Sequence, residues 1–197
     1  MIAYDGLSVL VNPSNNFVDS LTVKELNALW KPGSTVKVWK DLRPEWPNEQ
    51  IKLYGAGTDS GTFDYFTEAI NRKEKASRSD YTPSEDDNVL VQGVAGDKGA
   101  LGYFGFAYYI ENKDKLKIVP IDAGKGAIAP EAKTINDGTY KPLSLPIFIY
   151  VSKSSLQRPE VKEFVKYYLT EGPKLIPQVG YINLPDNMYK EGLAKIQ

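Results

Sequence analysis

Apolar residues along the chain fall into two patterns, short runs that are mostly apolar and runs with helical spacing. Mostly apolar runs of strand length occur at residues 7–11, 51–54, 101–104, 116–121 and 145–151, and most are bounded by polar or turn residues. Segments with helical spacing lie between several of these runs. Because strand and helix patterns alternate along the chain, the sequence predicts an α/β fold built in layers.

Three segments carry helix signals that agree with one another. Thr22 and Glu25 have the spacing of a capping box. In the last predicted helix, Pro159 suits the first position, and Gly172 and Pro173 mark the end. The apolar residues of the three predicted helices recur at spacings of three and four: Leu26, Leu29 and Trp30; Phe63, Phe66 and Ile70; and Val161, Phe164, Val165, Tyr168 and Leu169. Each helix therefore has one face that can pack against a core.

The remaining segments have weaker patterns. Residues 36–50, with two Trp and two Pro, predict a surface segment, and residues 124–138 predict an irregular surface loop. Residues 77–87 predict a polar loop in which Asp86 or Asp87 caps a short helix. Residues 107–115 predict a further helix.

Composition narrows the chemistry that the chain can perform. Its 197 residues include neither cysteine nor histidine, which excludes disulfides, Cys-based zinc sites and a Ser-His-Asp triad. The net charge of −1 does not point to nucleic acid or to an anionic membrane, and no apolar run approaches the ~18 residues of a membrane span. Residues 1–6 lack the parts of a signal peptide, so we expect either a cytoplasmic chain or one without its natural front end.

The segment with the strongest chemical potential is the glycine-rich turn at residues 57–62, between a predicted strand and a predicted helix. The first amides of a helix have no partner within the helix, and together with the helix dipole they favour an anion. Ser60 and Thr62 add hydroxyl donors, and glycines permit close approach of a ligand. Spacing alone, however, equally describes an ordinary helix N-cap, which is the simpler interpretation.

Asp59 has two possible roles in this turn. It can cap the helix, or it can accept a proton from a protonated phosphate and so discriminate against sulfate. We favour the capping role, because Asp is one of the preferred N-cap residues.

Three other features have ordinary structural interpretations. Residues 93–99 form a glycine-containing turn whose spacing fits no nucleotide motif, and the aromatic residues between 103 and 109 are expected in the core. Glu85, Asp86 and Asp87 offer carboxylates to a cation, but a solvated loop with a helix cap explains them equally.

Residues 57–67 resemble the Ser-Gly-Thr signature of the phosphate-binding receptors of ABC transporters, especially their cyanobacterial branch. The segments at residues 3–7, 99–105 and 146–151 resemble the same family and occur in its order. The resemblance implies a periplasmic-binding-protein type II (Venus-flytrap) lobe with a mixed sheet and flanking helices. It implies a mostly complete ligand-binding lobe at residues 1–153 and a C-terminal helical part of a second, incomplete lobe at residues 154–197.

The function implied by the resemblance is binding of inorganic phosphate by the extracytoplasmic receptor of an ABC importer. Ser60, Gly61 and Thr62 match the ligand-binding signature, and Asp59 and Thr58 belong to the same turn. The expected partners are phosphate and a membrane permease, in a periplasmic or extracytoplasmic location. No nucleic acid, cofactor, metal or catalysis is expected.

Two departures from the family pattern leave alternatives open. Ala56 stands where many members have an arginine, which leaves room for another oxyanion such as sulfate, molybdate or tungstate. The family's N-terminal segment has no counterpart, so a lobe that no longer binds ligand is a second alternative. The incomplete lobe also predicts an uncovered apolar face that leads to dimerisation, swapping or disorder. An enzyme with Ser60 or Thr62 as nucleophile would need a base such as Lys98.

Overall fold

The computed structural model describes residues 1–196, and its main layer is a mixed β-sheet. The strands of this sheet are β1 (Ala3–Val11), β3 (Lys52–Ala56), β4 (Thr82–Ser84), β5 (Ala100–Gly105), β6 (Lys117–Ile118) and β9 (Ser144–Ile147). They run in the order β4-β3-β5-β1-β6, and β9 pairs with the first half of β1. A small second sheet has the order β2-β7-β8: β2 (Leu21–Thr22), β7 (Ile121–Asp122) and β8 (Ala127–Ile128).

Helices flank the main sheet and form most of the C-terminal part. The α-helices are α1 (Val23–Trp30), α2 (Gly61–Asn71), α3 (Asp87–Gly96), α4 (Phe106–Glu111), α5 (Ala132–Asn136), α6 (Pro159–Thr170), α7 (Gly172–Leu175) and α8 (Asp186–Ala194). Short 3₁₀ turns occupy Trp39–Asp41, Ser155–Gln157 and Ile176–Val179. Among residues 1–196, no helix has the length and apolarity needed to cross a membrane. The predicted α/β class, with a mixed sheet and flanking helices, is confirmed.

The two faces of the sheet carry different cores because successive side chains of a strand point to opposite faces. In β1, Leu7, Val9 and Val11 belong to the large core, whereas Leu10 belongs to the opposite-face core. The large core also takes the apolar faces of α1 and α2, and the opposite-face core takes Leu90, Val91 and Val94 of α3. The sheet is therefore covered on both sides.

A third group of buried residues, the C-terminal core, lies at the beginning of β1. It consists of Ala3, Val165, Leu169, Ile176, Leu184 and Tyr189, with partly buried neighbours that include Ile2 and Ile147. The predicted apolar face of α6 thus packs through Val165 and Leu169, while Phe164 stays 61% exposed.

The predicted capping box is confirmed. The Thr22 hydroxyl oxygen accepts the Glu25 amide at 3.1 Å, and the Thr22 amide donates to the Glu25 carboxylate at 2.7 Å. α1 therefore begins at the residue that the sequence indicates.

Several weaker predictions are wrong in detail. Residues 36–50 are not simply a surface segment, because Trp39 and Trp46 are buried and pack around Phe17. Residues 124–138 are not a featureless loop, since they contain β8 and α5. The strand predicted at residues 145–151 ends at Ile147, the helix predicted at 107–115 ends at Glu111, and the predicted 93–99 turn begins inside α3.

Candidate functional site

The glycine-rich turn lies at one edge of the main sheet, where several elements meet. β3 and β5 are parallel, so their carboxyl ends reach the same edge, at Ala56 and Gly105. β1 is antiparallel to β5, with Leu7 opposite Gly105, and therefore brings Asp5 to the same edge. The topology thus assembles groups that are far apart in sequence.

The turn itself is built around Ser60. Ser60 is the N-cap of α2, with extended backbone angles (φ −88°, ψ 135°), and its hydroxyl oxygen accepts the Thr62 amide at 3.1 Å. The Ser60 amide donates to the Gly57 carbonyl at 3.1 Å, which closes the turn. The prediction that Asp59 caps the helix is therefore wrong, because the adjacent serine occupies the cap position.

Several donors at the start of α2 remain uncommitted. Within residues 1–196, the amides of Gly61 and Phe63 and the hydroxyl of Thr62 have no hydrogen-bond partner. A Cβ built on Gly61 would meet no atom within 4 Å, so the space beside its backbone is open. An anion placed there can accept from these donors and lies on the axis of the α2 dipole.

The segment from Ser84 to Asp87 holds this edge together. The Gly57 amide donates to the Ser84 carbonyl at 2.9 Å, and the Asp59 amide donates to Glu85 Oε1 at 3.3 Å. Sequence reasoning assigned Glu85 to a solvated loop and missed this contact, since the register of the parallel β3–β4 pair is a tertiary property with no local sequence signal. Asp86, not Asp87, is the N-cap of α3.

Several carboxylates lie at this edge of the sheet. The pKa of the Asp5 carboxyl is raised to about 6, mainly by burial; a hydrogen bond from the Gly6 amide opposes the rise and the Asp87 carboxylate adds to it. Burial also raises the pKa of Asp87, with Asp86 and Glu85 adding to the rise. In the described part of the chain, no Lys or Arg side chain forms a hydrogen bond or ion pair with residues 57–62.

The structure separates the five predicted site residues into two groups. Ser60, Gly61 and Thr62 lie together at the first turn of α2. The side chains of Thr58 and Asp59 are exposed and, among the described residues, have no hydrogen-bond partner. Ala56 is buried, and its carbonyl accepts the Tyr81 hydroxyl at 3.0 Å.

Lys98 is not placed to act as a base for Ser60. Lys98 precedes β5, whose first residue pairs with Lys52 at the start of β3, whereas Ser60 follows the end of β3. The length of β3 alone separates the two positions by about 13 Å. Nor do residues 1–196 contain a cluster of three or more carboxylates arranged to hold a metal ion.

Comparison with known proteins finds one family across most of the chain. A family model described as the PBP superfamily domain matches residues 1–171. The protein SphX of Synechocystis sp. is 47% identical over 97% of this chain and 58% of its own length. The phosphate-binding protein PstS of Staphylococcus haemolyticus is 39% identical over 100% of this chain and 61% of its own length. The chain therefore spans less than two thirds of these relatives.

Solved structures agree with the fold described above. A possible phosphate binding protein from Planctomyces limnophilus is 51% identical, with a TM-score of 0.91 over 99% of this chain and 71% of that chain. A putative phosphate ABC transporter substrate-binding protein from Clostridium perfringens, solved with bound phosphate, has a TM-score of 0.71 over 93% of this chain and 70% of that chain; at 23% identity it supports the fold alone. The chain therefore has the type II periplasmic-binding-protein fold and belongs to the PBP superfamily, with SphX and the PstS phosphate-binding proteins among its relatives.

Proposed function

We propose that this chain binds inorganic phosphate at the turn formed by residues 57–62. The observation that carries the proposal is the set of uncommitted donors at the start of α2: the Gly61 and Phe63 amides and the Thr62 hydroxyl. The Ser60 hydroxyl can donate as well, because the bond that it accepts from the Thr62 amide uses a lone pair of its oxygen and leaves its hydrogen free. All of these donors except the Phe63 amide belong to the Ser-Gly-Thr signature, and the relatives of the chain include proteins named for phosphate binding.

The geometry suits a tetrahedral oxyanion that is held mainly by neutral donors. α2 has 11 residues, so the dipole at its N-terminus is developed, and the space beside Gly61 is open. The nearby carboxylates oppose a fully ionised anion, since like charges at short range repel. A protonated phosphate can donate a P–O–H hydrogen bond to such a carboxylate, which fully ionised sulfate cannot do, and for that reason we do not favour sulfate as the ligand.

The same proposal extends to the role of the longer receptor. We place the chain in the extracytoplasmic receptor of an ABC phosphate importer, which presents phosphate to a membrane permease and performs no catalysis. Support comes from the relatives above 30% identity that are named for phosphate binding, PstS of Staphylococcus haemolyticus and the possible phosphate binding protein of Planctomyces limnophilus. We divide the chain into residues 1–153 as the ligand-binding lobe and residues 154–197 as helices of the other lobe.

Self-association through the C-terminal part of the chain, mainly through the second lobe, is part of this proposal. Of the ten exposed large hydrophobic residues among residues 1–196, eight lie at positions 148–181: Phe148, Tyr150, Phe164, Tyr167, Tyr168, Leu175, Val179 and Tyr181. A concentration of exposed apolar side chains of this kind marks an interaction surface or an aggregation liability.

Calorimetric titration tests the binding proposal. We expect heat of binding with phosphate, saturating at one phosphate per chain, and little or none with sulfate at the same ionic strength. An absence of heat with phosphate would show that this chain does not bind phosphate, but it would not change the family to which the chain belongs. Equal binding of sulfate would favour the second candidate, a receptor for another oxyanion.

A further inference from the structure

The residues between β4 and α3 hold the 57–62 turn at two points. At the first point, the Gly57 amide donates to the Ser84 carbonyl at 2.9 Å, which extends the pairing of β3 with β4 by one bond. At the second point, the Asp59 amide donates to Glu85 Oε1 at 3.3 Å. The second contact is made by a side chain and is not a continuation of the strand pairing, so it depends on the identity of residue 85.

Gly57 provides the room for this carboxylate. A Cβ built on Gly57 would collide with Glu85 Oε1, and the three atoms nearest to such a Cβ all belong to Glu85. The φ of Gly57 lies outside the left-handed region, so its backbone conformation does not call for glycine. The close approach of Glu85 therefore explains why glycine occupies this position.

The backbone on both sides of Glu85 is fixed by local hydrogen bonds. Ser84 Oγ accepts the Asp86 amide at 3.0 Å, and Asp86 Oδ1 accepts the Asn88 amide at 2.9 Å as the N-cap of α3. Glu85 is thus anchored between the end of β4 and the start of α3. Its side chain reaches the 57–62 turn from a rigid base.

We propose that Glu85 is a positioning residue for phosphate: its carboxylate holds the Asp59 amide and thereby orients the donors at the start of α2. The inference rests on the proposed function of the turn. Asp59 directly precedes Ser60, the N-cap of α2, so a fixed Asp59 amide limits the conformations that are open to the cap. A turn that is fixed before binding loses less conformational freedom when the anion arrives, and this raises the affinity.

The charge of Glu85 and its hydrogen bond act on phosphate binding in opposite directions. The negative charge repels an anion in the turn, whereas the bond to the Asp59 amide keeps the turn in shape. Glutamine at this position keeps an acceptor oxygen but removes the charge, and alanine removes both. The two substitutions therefore separate the positioning effect from the effect of the charge.

Calorimetric titration with inorganic phosphate tests the positioning role. We expect Glu85→Ala to weaken phosphate binding about three- to tenfold, the effect of one hydrogen bond, and Glu85→Gln to bind at least as tightly as the unsubstituted chain. The Glu85 side chain is exposed, so neither change should lower the free energy of unfolding much, which urea denaturation checks. Undiminished binding by Glu85→Ala, or an equal loss in both variants, would overturn the proposal.

Gly57→Ala tests the same contact from the other side. The added methyl group would displace the Glu85 carboxylate from the Asp59 amide, so the affinity should fall about as far as it does in Glu85→Ala. Because both changes break one contact, the double variant should bind no more weakly than either single variant. Additive losses would mean that the two residues act independently and would contradict the proposal.

Glu68→Ala is the matched control. Glu68 is an exposed carboxylate of α2 that lies seven residues beyond Gly61, about 10 Å along the helix axis. Its charge is largely screened at that distance, so the phosphate affinity should stay within about twofold of that of the unsubstituted chain. A loss as large as that of Glu85→Ala would show that the effect is not specific to Glu85.

Hydrogen exchange in the ligand-free chain distinguishes failure of this inference from failure of the proposed function. The Asp59 amide should exchange at least about threefold faster in Glu85→Ala than in the unsubstituted chain, and Glu85→Gln should restore most of its protection. An unchanged exchange rate in Glu85→Ala would overturn the positioning role even when phosphate binds. An unsubstituted chain that binds no phosphate would overturn the proposed function, and the role of Glu85 in binding would fall with it.

Discussion

Ser60 and Asp59 show how a single residue position decides the structure of the turn. Both are preferred N-cap residues, so local sequence could not rank them with certainty, and the preference for Asp59 was wrong. The Asp59 amide is held by Glu85, 26 residues away, and Ser60 takes the extended conformation of the cap. The existence of a cap was predictable, but its position depends on a tertiary contact.

Gly61 offers the sharpest residue-level test of the site. A valine there would extend into open space and should not disturb the fold, but it would fill the volume beside the uncommitted donors. We expect Gly61→Val to weaken phosphate binding about tenfold or more, equal to about 1.4 kcal/mol, in a calorimetric titration.

Gly96→Val is the matched control for that change. Gly96 is also exposed, also lies at a helix end, and likewise has no atom within 4 Å of a built Cβ. The Gly96→Val variant should bind phosphate as tightly as the unsubstituted chain does. Equal affinities for Gly61→Val and Gly96→Val would mean that phosphate does not bind beside Gly61.

At the scale of elements, long periodic segments were predictable and short ones were not. α1, α2 and α6 have apolar faces that the sequence displays directly. The strands at 121–122 and 127–128 have only two residues each, and they exist because β7 pairs with both β2 and β8. Such pairings carry no periodic signal, so the sequence predicted a loop for residues 124–138.

The end of α1 is another element-scale feature that the sequence did not reveal. Arg78 is buried, and its Nη1 donates to the carbonyls of Leu29 at 3.0 Å and Val36 at 2.9 Å. Its backbone amide donates to the Trp30 carbonyl at 3.1 Å. A residue 48 positions beyond Trp30 thus satisfies the carbonyls that the end of a helix leaves without partners.

Replacement of Arg78 by methionine should therefore be costly. The change leaves the carbonyls of Leu29 and Val36 without that donor and removes the bonds from Arg78 to Asp80. We expect Arg78→Met to lower the free energy of unfolding by on the order of 3 kcal/mol, measured by urea denaturation.

Arg158→Met is a suitable comparison, because the Arg158 side chain is 63% exposed and its ion pair with Glu160 spans 3.8 Å. Its cost should be about 1 kcal/mol or less. If both substitutions cost the same, the proposed role of Arg78 in ending α1 would be wrong.

At the scale of the whole molecule, the distribution of exposed apolar side chains is uneven. Eight exposed large hydrophobic residues lie at positions 148–181, and the other two in the described chain are Val89 and Ile110. The resemblance predicted an uncovered apolar face because it implied an incomplete second lobe, but it could not predict which side chains form that face.

We expect the chain to self-associate through this face. Light scattering after size exclusion should give a mass that rises above 22.0 kDa as the concentration increases. Phe164→Ser should reduce the effect, because it removes a 61% exposed ring, whereas Ile110→Ser should not. A monomer at every concentration, with a well-ordered α6, would contradict self-association.

The most direct test of the central claim, that phosphate binds at the first turn of α2, is the change in amide chemical shifts when phosphate is added to the labelled chain. The account predicts the largest shifts at Gly61 and Phe63, whose amides have no partner within residues 1–196, with small changes at Thr22 in the cap of α1. Sulfate at the same concentration should produce much smaller shifts. Phosphate-induced shifts that leave Gly61 and Phe63 unchanged, or an equal response to sulfate, would contradict it.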